Sequence, residues 1–325
     1  MHVAPWLWWA TVLGTSGFLL LDVVVIGRRP HEPSMREVGR DLAGFVAAAV
    51  AFGLAVFAFS GPQYGGEFFA GWLTEYSLSV DNLFIFIIIL NRFAVPRELQ
   101  QTALLVGIVL ALVMRGIFIA VGAAAIHSFS WVFYLFGLFL VFTAVKLAKE
   151  GPEDPDEFEE SRLIQWLEKR FPATKEFTGT KLFVTSAGKT LMTPMLVVIV
   201  TLGTTDLLFA LDSIPAIYGL TSEPYLVFTA NVFALMGLRQ LYFLIGGLLE
   251  RLVYLTYGLA FLLAFIGVKL VLHAMHDNTL AFVNGGSGIE WAPDIPIWLS
   301  LVVIVGTLVV TTAASLLVEG RTDRV

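Results

Sequence analysis

The sequence predicts an all-α polytopic membrane protein of about nine transmembrane helices, six of which form an inverted repeat of three plus three. Three observations lead there. Apolar runs reach the roughly 20 residues needed to cross a bilayer as helix. They recur along a chain of 325 residues that is 57% hydrophobic and 14% charged, with mean hydropathy +0.81. Basic residues are confined to alternate loops, and landmark residues return in the second half at nearly one offset.

Span 1 runs from about Trp6 to Ile26, with Trp6, Trp8 and Trp9 suited to an interfacial belt and Asp22 near its far end, close to the headgroups. No Lys or Arg precedes Arg28, so this run lacks a signal peptide's basic region and is read as a retained span. Span 2 is Leu42 to Phe59. Span 3, about Phe68 to Leu90, carries Glu75, Asp81 and Asn82, and ends at NRFAVPRE. Span 4, Thr102 to Ala125, contains Arg115, and span 5 is Trp131 to Leu147. The long hydrophilic segment that follows opens with EGPEDPDEFEE, and its SRLIQWLEKRF has the character of a helix lying on the membrane surface. Span 6 runs from near Leu191 to Asp212 and carries Asp206. Span 7, Leu226 to Leu249, carries Asn231 and Arg239. Span 8 is Leu252 to Leu272 and span 9 Ile297 to Val318. The chain thus divides into 1–64, two additional helices; 65–149, the first repeat; 150–188, an acidic loop; 189–273, the second repeat; and 274–325, an outer loop, the last helix and a tail.

Of the 20 Lys and Arg residues, all but Arg115, Arg239 and Lys269 fill or flank the loops after spans 1, 3, 5 and 7 or lie in the tail. By the positive-inside rule the N-terminus is expected outside and the C-terminus in the cytoplasm, in the cell's inner (plasma) membrane. The other loops hold Glu67, Glu223, Asp277, Glu290 and Asp294, an acidic face that favours cations nearby. Composition also excludes. Ordinary soluble domains carry roughly 25% charged residues. Absent cysteine removes disulfides, thiolate metal ligands and cysteine nucleophiles, and a net charge of −6 gives no case for nucleic acid.

Asp81 aligns with Asp206 at an offset of 125, Arg115 with Arg239 at 124, and Lys146-Leu147 with Lys269-Leu270 at 123. Three landmarks in order argue for a true repeat. Three spans per unit invert the second copy, as in many secondary transporters.

Carboxylates at membrane depth are costly and mark ion or proton sites or buried partners. Span 3 runs inward and span 6 outward, so Asp81 and Asp206 fall near mid-depth, while Glu75 and Asp212 each lie six residues, about 9 Å, toward the outside. A central pair and an outer pair of acids result, and facing carboxylates repel unless a cation or proton intervenes. A divalent ion fits, with Asn82 and Asn231 as neutral oxygen ligands. Mn²⁺ and Mg²⁺ suit such a set. Ser213-Ile214-Pro215 should end or kink span 6 and free carbonyls beside Asp212. Two other readings stay open. Arg115 and Arg239 neutralise the acids in a static network, or they hold them and gate access. Lys146 and Lys269 are expected to snorkel at span ends. His273, His276 and Asp277 read as ordinary loop residues ahead of the alternative, a weak metal site. No hydrolytic constellation is visible, and the reading is of a non-enzyme without a resident cofactor.

LTEYSLSVDNLFIF (73–86), TTDLLFALDSIPAIYGLT (204–221) and FTANVFALMGLRQLYFLI (228–245) resemble the TerC family of integral membrane proteins, the tellurium-resistance or Alx-type proteins, which are similar to LysE-type transporters. The resemblance covers roughly Gly65 to Lys269. It implies Mn²⁺ efflux from the cytoplasm with a tellurite-resistance association, and the family's acids correspond to Glu75, Asp81, Asp206 and Asp212. Proton coupling through the same acids is a further expectation. The alternative is a membrane scaffold or assembly factor whose acidic loop docks a membrane protein partner. Many members carry Glu where this chain has Gly203.

Overall fold

The computed structural model describes residues 3–28, 33–129, 131–150, 174, 176–186, 189–245, 254–278, 280, 283–289 and 291–322. The acidic segment and the surface helix expected at 161–171 lie outside the described residues, as do the side chains of Asp22 and Asp81. Nine long helices are present among the described residues: α1 (Pro5–Arg28), α2 (Met35–Ser60), α3 (Pro62–Arg92), α4 (Arg97–Ser128), α5 (Val132–Glu150), α6 (Pro194–Tyr218), α7 (Pro224–Ile245), α8 (Leu255–His276) and α9 (Ile297–Thr322). Eight of them, α2 to α9, are long and apolar enough to cross a membrane, and α1 is 24 residues long. The chain is an all-α polytopic membrane protein.

Local sequence sets the helix boundaries. Ser34 caps α2, its hydroxyl accepting from the Glu37 amide at 3.3 Å. Pro62 and Pro194 open α3 and α6 at the first turn, where a missing N–H costs nothing.

The helices pack in a pattern that maps onto itself when the triplets α3-α4-α5 and α6-α7-α8 are exchanged. α3 packs on α7 and α4 on α6, while α5 lies along α8. At the last crossing, a methyl added to Gly137 would stand 2.7 Å from the Gly267 carbonyl oxygen and 2.7 Å from Val271 Cγ2. One added to Gly267 would stand 2.8 Å from the Gly137 carbonyl oxygen and 2.9 Å from Val141 Cγ2. Small residues let the two backbones meet. The contact is symmetric under exchange of Gly137 with Gly267 and Val141 with Val271. The lysines at the repeat landmarks differ in their setting: Lys146 is exposed, but Lys269 is buried and donates to Ser300 Oγ at 3.2 Å rather than snorkelling.

Two further expectations are corrected around α6. A β-hairpin, β1 (Phe183–Ser186) against β2 (Lys189–Met192), takes Leu191 into a strand, so α6 begins at Pro194. Thr193 fastens the hairpin to the helix. Its amide donates to the Leu182 carbonyl at 3.0 Å and its hydroxyl to the Lys181 carbonyl at 2.6 Å. At the other end, Pro215 lies inside α6, which continues to Tyr218. In the last turn a proline forfeits one helical bond, and the Pro215 carbonyl still accepts from the Gly219 amide at 3.0 Å.

Candidate functional site

Four helices bring polar groups to one point in the apolar bundle. Arg115, near the middle of α4, is fully buried. Its Nε and Nη2 donate to the two oxygens of Asp206 on α6 at 2.9 and 3.0 Å, a bidentate fork. Its Nη1 donates to Glu75 Oε1 on α3, to Ser213 Oγ on α6 at 3.1 Å and to Asn231 Oδ1 on α7 at 3.0 Å. Asn231 is itself fixed, its Nδ2 donating to the Val227 carbonyl at 2.9 Å. Glu75, Asp206, Ser213 and Asn231 are all buried. The second Glu75 oxygen, Oε2, is buried with no hydrogen-bond partner among the described residues. With both carboxylates ionised, these groups sum to a charge of −1.

Helix rotation explains which expected residues converge. Seven residues are close to two full turns, so Asp206 and Ser213 share one face of α6, and Glu75 and buried Asn82 share one face of α3. Six residues are one and two-thirds turns, which sends Asp212 elsewhere. Its Oδ1 accepts from Thr143 Oγ1 on α5 at 3.0 Å. Glu75 therefore shares Arg115 with Asp206, and does not form an outer pair with Asp212. Arg239 lies apart, beside Gln101 of α4 and Glu37 and Asp41 of α2, lining a pocket at another level of the bundle. Asp81 is placed on α3, and its side chain lies outside the described residues. Ser213 had no assigned role in the sequence. Its spacing of seven from Asp206 was the signal available.

No group of three or more His, Asp or Glu poised to hold a metal ion occurs among the described residues. Gly203 sits against α4, where a Cβ would stand 2.4 Å from Leu110 Cδ2. A glutamate there would have to displace that leucine tip.

The chain matches the family model described as "Integral membrane protein TerC family" over residues 60–323. It is 48% identical to "Uncharacterized membrane protein Rv2723" of Mycobacterium tuberculosis over 97% of this chain and 80% of that protein. It is 38% identical to "Uncharacterized membrane protein STKORF319" of Myxococcus xanthus over 83% of this chain and 84% of that protein. It is 34% identical to "Putative membrane-bound redox modulator Alx" of Escherichia coli K12 over 98% of this chain and 97% of that protein. No solved structure matches. The chain belongs to the TerC family.

Proposed function

We propose that this TerC-family protein is a secondary transporter of a hard divalent cation, with Mn²⁺ as cargo moved out of the cytoplasm. The observation that carries the reading is the gathering of Glu75 and Asp206 around one guanidinium deep in the bundle, with Glu75 Oε2 unpartnered among the described residues. Membrane-buried carboxylates are expensive and are kept where ions or protons pass. Arg115 is the resident counter-cation of the closed state. The cargo replaces it against Glu75 and Asp206, with Asn82 and Asn231 as neutral oxygen donors and Asp81 as the repeat mate of Asp206. Asp212, bonded to Thr143, lies to one side of this set. Protons reload the carboxylates when the ion leaves, which couples efflux to the proton gradient. The confinement of Lys and Arg to alternate loops supports an N-terminus outside and a C-terminus in the cytoplasm. The name borne by the Alx relatives points to redox chemistry. This chain has no cysteine, so any redox effect would run through something other than its own thiols.

The competing reading is a static ion-pair network, favoured by the complete fork that Arg115 makes to Asp206. Mn²⁺ uptake into inside-out vesicles separates the two. Glu75→Gln, Asp81→Asn and Asp206→Asn should each abolish uptake in variants that remain folded. Wild-type uptake in folded Asp206→Asn would sink the transport reading.

A further inference from the structure

Some two turns of α3 beyond the Arg115 centre, the bundle opens into a cavity of about 440 Å³. Its walls come from the start of α3, the turn after α6, the second half of α8 and the approach to α9. Two charges are buried in them. Glu67, 8% exposed, accepts from Thr221 Oγ1 at 2.6 Å and from Gln63 Nε2 at 3.1 Å, both neutral donors. Lys269, 9% exposed, gives one bond to Ser300 Oγ. An ammonium has three donors, and Lys269 lines the cavity with the Ser300 bond as its one hydrogen bond among the described residues. Asp294 stands exposed on the rim. Neither Glu67 nor Lys269 forms an ion pair among the described residues. Buried unlike charges ordinarily close on each other, because separation leaves each desolvated without its partner. Here they are held apart, each facing the same space.

We infer that this cavity is a second, hydrated site for the divalent cation, a chamber in which Lys269 is the built-in competitor. The inference rests on the transport reading above. Glu67, Asp294 and the oxygens of Thr221 and Gln63 supply hard ligands of the kind Mn²⁺ and Mg²⁺ take. Six waters occupy about 180 Å³ at their liquid share, so the ion enters with its shell. Two carboxylates outnumber the one ammonium, and the imidazole of His273 also lines the wall, so the cavity favours a cation over an anion. The ammonium keeps cation binding weak, and a site that must release its ion needs that weakness. The chamber is joined to the buried centre by one stripe of α3: Glu67, Gly71 and Glu75 recur at four-residue spacing. Gly71 closes the way, since a methyl there would stand 3.1 Å from Ile217 Cγ2 and 3.5 Å from Ala230 Cβ.

The test counts free Mn²⁺ by its six-line paramagnetic resonance spectrum while the full-length protein, in lipid nanodiscs, is titrated. Glu67→Gln should weaken binding and Lys269→Gln should tighten it, each by about tenfold, the size of one screened charge–charge interaction. Lys269→Arg should restore the wild-type value, which a merely structural lysine would not require. Asp294→Asn, on the exposed rim, weakens binding in the same direction and guards against misfolding of Glu67→Gln. Wild-type binding that is unmoved by Glu67→Gln, Asp294→Asn and Lys269→Gln would overturn the chamber and leave the transport reading standing. Opposite shifts in Glu67→Gln and Lys269→Gln without vesicle uptake by the wild type would sustain the chamber and overturn transport.

Discussion

The Arg115 centre and the Lys269 cavity use the same ingredients, carboxylates and one basic side chain, in opposite ways. At the centre the guanidinium touches everything: two oxygens of Asp206, one of Glu75, Ser213 and Asn231. In the cavity the ammonium and the Glu67 carboxylate stay apart, each served by neutral neighbours. Arginine's planar fork suits a close-packed site because it satisfies several acceptors from one fixed plane. Lysine's compact charge on a flexible stem suits an open one, where water or an ion completes its shell. The difference separates a charge that holds helices together from one that modulates what enters.

The largest effect should come from removing each cation. Arg115→Met leaves two carboxylates buried without a counter-charge and should cost about 3–5 kcal/mol, seen as loss of monodisperse protein and a lowered thermal midpoint in detergent. Lys269→Met should lose far less, because its cavity admits water. Equal losses would erase the distinction between the two regions. Next in size is the stripe that joins them. Gly71→Leu drives a side chain into Ile217 and Ala230 and should cost about 1–3 kcal/mol by overpacking, while blocking vesicle Mn²⁺ flux. Undiminished flux in folded Gly71→Leu would mean that the two regions do not communicate along α3. The smallest effect should be at Asp212, which belongs to neither region. Thr143→Val removes its hydroxyl partner and should cost about 1 kcal/mol with uptake largely kept. Loss of uptake comparable to Asp206→Asn would return Asp212 to the ion path.

Much of this was legible from residues alone. Apolar runs of spanning length fix the all-helical membrane class, because a bilayer leaves backbone groups no partner except their own helix. The membrane-depth residues Glu75, Arg115, Asp206 and Asn231 stand out in any such sequence, since burying polar groups there requires a reason. Their convergence was only partly readable. Comparing depths along a helix treats six residues as a distance of about 9 Å, but those same six residues are also a rotation away from the first face. Rotation separates Asp212 from Asp206 and brings in Ser213 instead. The packing of α5 on α8 shows the same limit. Charged Lys146 and Lys269 were the visible landmarks, while the register of α5 on α8 is set by Gly137 and Gly267, whose significance lies in what is missing from their side chains. The hairpin at 183–192 escaped because its few alternating residues adjoin a long apolar run.

By itself, then, the sequence determined the solvent the chain folds in, the number of long helices and the identity of the costly buried charges, since each follows from the free energy of moving a residue between water and hydrocarbon. Only the tertiary structure decided which acid shares Arg115, that Lys269 faces Glu67 across a cavity without touching it, and that Gly71 stands closed between the two. Those outcomes depend on helix rotation and on contacts between residues far apart in the chain, such as Arg115 with Asp206 and Glu67 with Thr221. Local spacing constrains such contacts only when the facing helix and its register are known.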